Sequence, residues 1–160
     1  MKYFYAAYGM NTNLEEMERR CPTAVCLGPA QLDNYEFVFR THADIQRRRG
    51  AKCDIVLWEI DNACLRALDT LEGYPYYYTR FKVRVSLGNK TVKALIYQMN
   101  DQSYIQEPGR GYLEMVRDGY RQNGVPTDQI DHAINMVCSS LIETNTELHN
   151  TWLPTMRDYV

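Results

Sequence analysis

The chain is 160 residues long, with 18 Lys and Arg against 20 Asp and Glu, a net charge of −2, and 45% hydrophobic residues. Such a chain can bury the core of one domain and is not a largely disordered polymer. The near-neutral balance gives no electrostatic basis for nucleic acid or an anionic membrane as the main partner, and no run of ~18 apolar residues offers a membrane span.

Met1 to Phe4 lead directly into a strand pattern without a charged leader, and the five cysteines (Cys21, Cys26, Cys53, Cys64, Cys138) are odd in number with no C-x-x-C pair. Both features predict a cytoplasmic location with reduced thiols. The three histidines are scattered, so no metal or cofactor is expected. Tyrosine stands out, at 13 residues against 4 Phe.

Lys2 to Tyr8 is a short apolar run that predicts a buried first strand, broken at Gly9. Asn13 with Glu16 three residues later reads as a capping box, with Leu14, Met17 and Cys21 inward until Pro22 stops the helix. Strands are predicted at Tyr35–Phe39 and Cys53–Trp58, separated by a solvated polar loop that contains Arg47-Arg48-Arg49-Gly50. Asp61 or Asn62 can cap a second helix to about Leu71, with Leu65, Leu68 and Leu71 inward. Alternation over Phe81–Val85, a turn at Gly88-Asn89 and a return over Val92–Ile96 predict a hairpin. Helices follow from about Tyr112 to Asn123, stopped by Gly124, and from Thr127, with Ile130, Ile134, Val137 and Leu141 at helical spacing. The order predicts one α+β domain.

Two places could carry chemistry. The turn Tyr8-Gly9-Met10-Asn11 joins a strand to a helix, where Gly9 permits a tight turn or a close approach and helix N–H groups can meet an anion; it also reads as an ordinary capped turn. Glu72 lies at a helix C-terminus, the unfavourable end of the dipole, directly before Gly73-Tyr74-Pro75 and a run of tyrosines. Partial desolvation there would raise its pKa and suit a general base, whereas an exposed Glu at a surface turn would do nothing. Asp69, one turn earlier, reads as solvated or structural, and Cys53 as core.

Tyr5-Ala6-Ala7-Tyr8-Gly9-Met10-Asn11 and Cys21-Pro22 resemble the opening of the gamma-glutamylcyclotransferase-like family. The likeness continues at Gly50–Ile55, at Leu68-Asp69-Thr70-Leu71-Glu72-Gly73-Tyr74-Pro75 with Tyr78, at Ala94–Tyr97, at Tyr112–Gly119 and at Asn123–Pro126. The resemblance implies a small mixed β-barrel flanked by α-helices. It also implies an enzyme that cyclises a gamma-glutamyl amide to 5-oxoproline and a free amine, as the substrate's own α-amine attacks its γ-carbonyl. By the same resemblance Glu72 is the catalytic acid/base. The backbone of Tyr8, Gly9, Met10 and Asn11 holds the gamma-glutamyl half, and Tyr78, Tyr97 and Tyr112 line the pocket. Met10 departs from the family's usual Ser, which exchanges a hydroxyl for a thioether and bears on substrate class. The alternative is a non-catalytic member that binds a small ligand or a protein through the barrel pocket. Residues 1–160 are expected to form a single cyclotransferase-like domain. Within it, 142–160 form an extension docked through Trp152, Met156 and Tyr159 onto its own barrel or, alternatively, onto a second copy in a homodimer.

Overall fold

The computed structural model describes residues 1–151, with side chains through Glu147. Strands β1 (Lys2–Ala7), β2 (Val25–Arg40), β3 (His42–Asp61), β4 (Tyr78–Leu87) and β5 (Lys90–Met99) form a closed barrel in the order β1-β3-β2-β4-β5. Every pairing is antiparallel except β1 with β5, which closes the barrel in parallel through Tyr5 and Leu95. The helices are α1 (Leu14–Arg20), α2 (Asn62–Leu71), α3 (Arg110–Asn123) and α4 (Asp128–Thr151), and a 3-10 turn at Met10–Thr12 precedes α1. This is the expected mixed barrel flanked by helices. None of the described helices is long and apolar enough to cross a membrane.

The core is the barrel interior plus one face of each helix. Phe37, Phe39, Ile45, Ile55, Leu57 and Ile96 fill the barrel, while Met17, Leu68, Val116, Tyr120 and Ile130 seal it from the helices. Leu87 faces Lys90 across a two-residue Gly88-Asn89 turn, and Gly124 takes φ +66° at the end of α3, so both stops fall where the glycines indicated. All five cysteines carry free thiols, and Cys21, Cys53 and Cys64 are buried.

Three local expectations need correction. The arginine run is not a loop between two short strands. β2 and β3 are one long ribbon turned at Thr41 (φ +67°), and Arg47, Arg48 and Arg49 lie within β3. The register jumps between Asp33↔Lys52 and Tyr35↔Arg47, so Asn34 alone opposes residues 48–51. Arg47 lies 5.3 Å over the Tyr35 ring and Arg48 pairs with Glu36 at 3.0 Å, partners that a sequence cannot display before the ribbon pairs. Such an irregularity bends a ribbon, here between residues 25–33 and 35–40 of β2. Leu14 is exposed rather than inward, because the first turn of α1 projects outward, where the Leu14 N–H donates to Gln122 of α3. Leu71 is likewise exposed, at the end of α2, on the rim of a cavity.

In α4, Ile130 and Val137 are buried while Leu141 and Ile142 are exposed. Residues 142–147 continue the helix with exposed side chains. Trp152, Leu153, Met156, Tyr159 and Val160 lie outside the described residues.

Candidate active site

A cavity of about 820 Å³ opens at one end of the barrel, bounded by the Tyr8–Asn11 turn, the tip of the β2–β3 ribbon, the end of α2 and the start of α3. It brings together Tyr8, Gly9, Met10, Asn11, Glu72, Tyr78, Tyr97 and Tyr112, although they come from five separate segments.

Glu72 is the C-terminal capping residue of α2, and its N–H closes the helix on the Leu68 carbonyl. Its side chain is half-buried at the cavity wall. Burial pushes its pKa up to about 7, and Arg20 pulls in the opposite direction without offsetting this. The Asn11 amide N–H donates to Glu72 Oε1 at 3.4 Å and to the Tyr5 hydroxyl at 3.0 Å. Gly73 follows at φ +61°, a left-handed conformation that lets the chain leave the helix at once.

Gly9 has ordinary negative φ, so the tight-turn explanation gives way to a packing one. A Cβ at position 9 would meet the Ala43 Cβ at 2.8 Å and the Tyr112 hydroxyl at 3.2 Å. The ribbon tip and α3 both press on this backbone. At the following helix end four N–H groups already have partners within the fold. The Leu14 N–H donates to Gln122, the Glu16 N–H to the Asn13 side chain, and the Thr12 and Asn13 N–H groups close the 3-10 turn. Only half of the expected capping box forms, because Glu16 Oε2 reaches Arg19 and Arg20 instead of turning back to Asn13.

The tyrosines fall into two groups. Tyr8 is buried and structural at its hydroxyl, which donates to the Tyr97 carbonyl at 2.7 Å, and its own carbonyl accepts from Tyr120 at 2.6 Å. The Tyr97 hydroxyl donates to Asp69 at 2.6 Å, where Arg80 also binds in a two-pronged pair, so Asp69 is a structural clamp. The Tyr112 hydroxyl accepts the Ala43 N–H at 2.9 Å. That bond uses an oxygen lone pair, so the hydroxyl keeps its own proton to donate. Tyr78 donates to the Ala43 carbonyl at 3.3 Å. Burial raises the pKa of Tyr78, Tyr97 and Tyr112, keeping all three as neutral donors.

Sequence reasoning missed Tyr5, Arg20 and Ala43. Arg20 donates to Asn11 Oδ1 at 2.5 Å and to Met10 Sδ at 3.1 Å, and pairs with Glu16 at 3.0 Å. Helical spacing from Glu16 would have pointed to Arg20; nothing local points to Ala43, which depends on the ribbon turn. Among the described residues no three His, Cys, Asp or Glu side chains gather as a metal site requires.

Comparison with known proteins agrees with this architecture. The AIG2-like family matches residues 55–132. A gamma-glutamylcyclotransferase of Bos taurus is 26% identical over 140 residues, covering 79% of this chain and 74% of its own. A solved structure described as a gamma-glutamyl cyclotransferase superposes with a TM-score of 0.74 at 24% identity, covering 82% of this chain and 86% of its own. A Homo sapiens structure described as uncharacterized gives a TM-score of 0.73 at 25% identity, covering 81% and 85%. The resemblance to the gamma-glutamylcyclotransferase-like family that the sequence displays therefore holds, in family likeness and in fold.

Proposed function

We propose that the chain is a gamma-glutamyl-amide cyclotransferase with Glu72 as its acid/base. The observation that carries this reading is the Glu72 carboxyl, half-buried at the wall of the cavity with Asn11 donating to it and a pKa near 7. An α-ammonium has a pKa of about 8, so a base near 7 exchanges a proton with it at little cost, whereas an ordinary Glu near ~4.3 would hold that proton poorly.

In the reaction the ionised Glu72 takes one proton from the substrate ammonium. The freed amine attacks the γ-carbonyl, closing a five-membered ring with its two reacting groups already tethered, so the cavity chiefly has to fold the substrate. In this reading the Tyr112 hydroxyl, which lines the cavity, donates to substrate oxygen, and the Tyr8–Asn11 backbone holds the gamma-glutamyl half. Collapse of the tetrahedral intermediate breaks the amide C–N bond. Glu72 returns this proton to the departing nitrogen, then carries the ring nitrogen's surplus proton to the same amine, leaving 5-oxoproline and an ammonium. The Bos taurus relative's name supports this substrate class. The test is release of 5-oxoproline from a panel of gamma-glutamyl amides. Binding of those amides without release would leave the non-catalytic reading in its place.

A further inference from the structure

We propose that Arg20 is a positioning residue for the acid/base step: its guanidinium fixes the Asn11 side chain so that the amide nitrogen, not the oxygen, faces the Glu72 carboxylate. This rests on the reading of Glu72 as the acid/base.

Asn11 is 5% exposed and has one acceptor and one donor end. Flipped, it would aim its oxygen at a carboxylate and its N–H2 at a guanidinium, two repulsive contacts. Arg20 removes that alternative with a 2.5 Å charge-assisted bond to Asn11 Oδ1. The guanidinium is itself held from two other directions, by Glu16 one turn back on α1 at 3.0 Å and by the Met10 thioether at 3.1 Å. Its side chain is only 15% exposed. The chain Glu16–Arg20–Asn11–Glu72 thus runs from α1 to the cavity wall, and Tyr5 accepts the second Asn11 N–H.

Arg20 also supplies the positive charge near Glu72. Glu72 is faced by Arg20 from α1, Tyr5 from β1, Tyr8 just beyond it, Tyr78 from β4 and Tyr112 from α3. Asp69, on the same helix as Glu72, is occupied by Arg80 and Tyr97. The four tyrosines are neutral, so among these groups the one cation is Arg20. Its two roles, orientation and charge, separate in different variants. Lys at this position keeps the charge, but a point charge cannot fork between Asn11, Glu16 and Met10. Met at this position loses both.

The experiment compares wild type, Arg20→Met, Arg20→Lys and Glu16→Gln. The readouts are kcat and the acid limb of kcat/KM against pH, together with a 13C NMR titration of the Glu72 carboxyl in ligand-free protein. In Arg20→Met the titration and the acid limb are expected to move up by about one pH unit, and kcat to fall by about tenfold. In Arg20→Lys the limb stays near its wild-type position while kcat still falls. Glu16→Gln, which loosens Arg20 from outside the cavity, lowers kcat by a smaller factor and keeps the test alive if an Arg20 variant does not fold. Full kcat in Arg20→Lys would overturn positioning in favour of charge alone. A folded Arg20→Met with wild-type limb and kcat, or an unchanged Glu16→Gln, would overturn the proposal. If wild type releases no 5-oxoproline from any amide, the proposed function fails. The NMR titration then still decides whether Arg20 governs Glu72.

Discussion

The raised pKa that suits Glu72 to the proposed reaction carries a structural cost. A carboxyl whose folded pKa lies near 7, above its unfolded value of 4.5, binds more protons in the folded state between those pH values. Stability is therefore expected to fall as pH rises from about 4.5 through 7. Glu72→Gln escapes this loss and should melt higher than wild type at pH 8, by about 2 kcal/mol after a discount for partial solvent exposure, and level with it below pH 4.5. Its turnover is expected to drop by at least ~10²-fold, because an amide cannot take the ammonium proton. Thermal melts at two pH values plus a 5-oxoproline assay check both halves; wild-type turnover in a folded variant removes Glu72 from the mechanism. Gly9→Val, placing a side chain against Ala43 and Tyr112, is expected to destabilise the fold and weaken ligand binding together. Glu72 and Gly9 were legible because their residue types are odd for their local positions. Arg20 and Tyr5 were not, since an Arg in an amphipathic helix and a Tyr in a strand are locally unremarkable; only the 3-10 turn that both α1 and β1 touch gives them a shared target in Asn11.

Helices and strands differ in how openly their sequences declared them. Caps and turn glycines depend on nearest neighbours, so the Gly124 stop and the Gly88-Asn89 turn could be read directly. The N-cap of α2 illustrates what such local chemistry does. Asp61 accepts the Cys64 N–H and the Thr23 hydroxyl, bonds that hold its pKa down to about 2. A carboxyl with a lowered folded pKa contributes stability above its unfolded value and loses it as pH falls. Asp61→Ala is expected to lower the melting temperature at pH 7, with the gap to wild type closing as pH falls from about 4 towards 2. The ribbon tip was hidden for the opposite reason: its partners lie far along the chain. The buried pair Arg40–Asp44, at 2.8 Å, is tied to Gln46, to the Gln102 carbonyl and to the Met99 N–H. Removing one member strands the other charge, so Asp44→Asn is expected to cost about 3–5 kcal/mol in denaturant melts. On α3, a Cβ at Gly119 would sit 2.3 Å from Thr12 Oγ1 and 2.6 Å from the Asn13 nitrogen. Gly119→Ala is expected to push the helix outward, costing about 1–3 kcal/mol and displacing Tyr112 enough to lower kcat, which urea titration and assay would show together.

At the scale of the molecule, the cavity exists because the barrel end is left open and roofed by three loops that are stitched to one another. Asn100 donates to the Pro75 and Tyr76 carbonyls, and Gln106 exchanges backbone bonds with Phe39 and Thr41. Composition could reveal a single domain with a buried core, and the order of elements could reveal its class. Neither could reveal which barrel end gathers the tyrosines, because that depends on how β1 inserts.

The insertion of β1 between β3 and β5 also sets a timetable for the ribosome. β1 cannot be sealed on its second edge until residues 90–99 have been made, and the Tyr8 carbonyl just beyond it waits longer still, for Tyr120. Through that interval the nascent chain carries open strand edges, the kind of surface on which unfinished chains stick to one another. A stalled chain ending before Lys90 is therefore expected to pellet or to recruit holding chaperones, whereas one released after Leu141, once the buried face of α4 is made, is expected to remain dispersed.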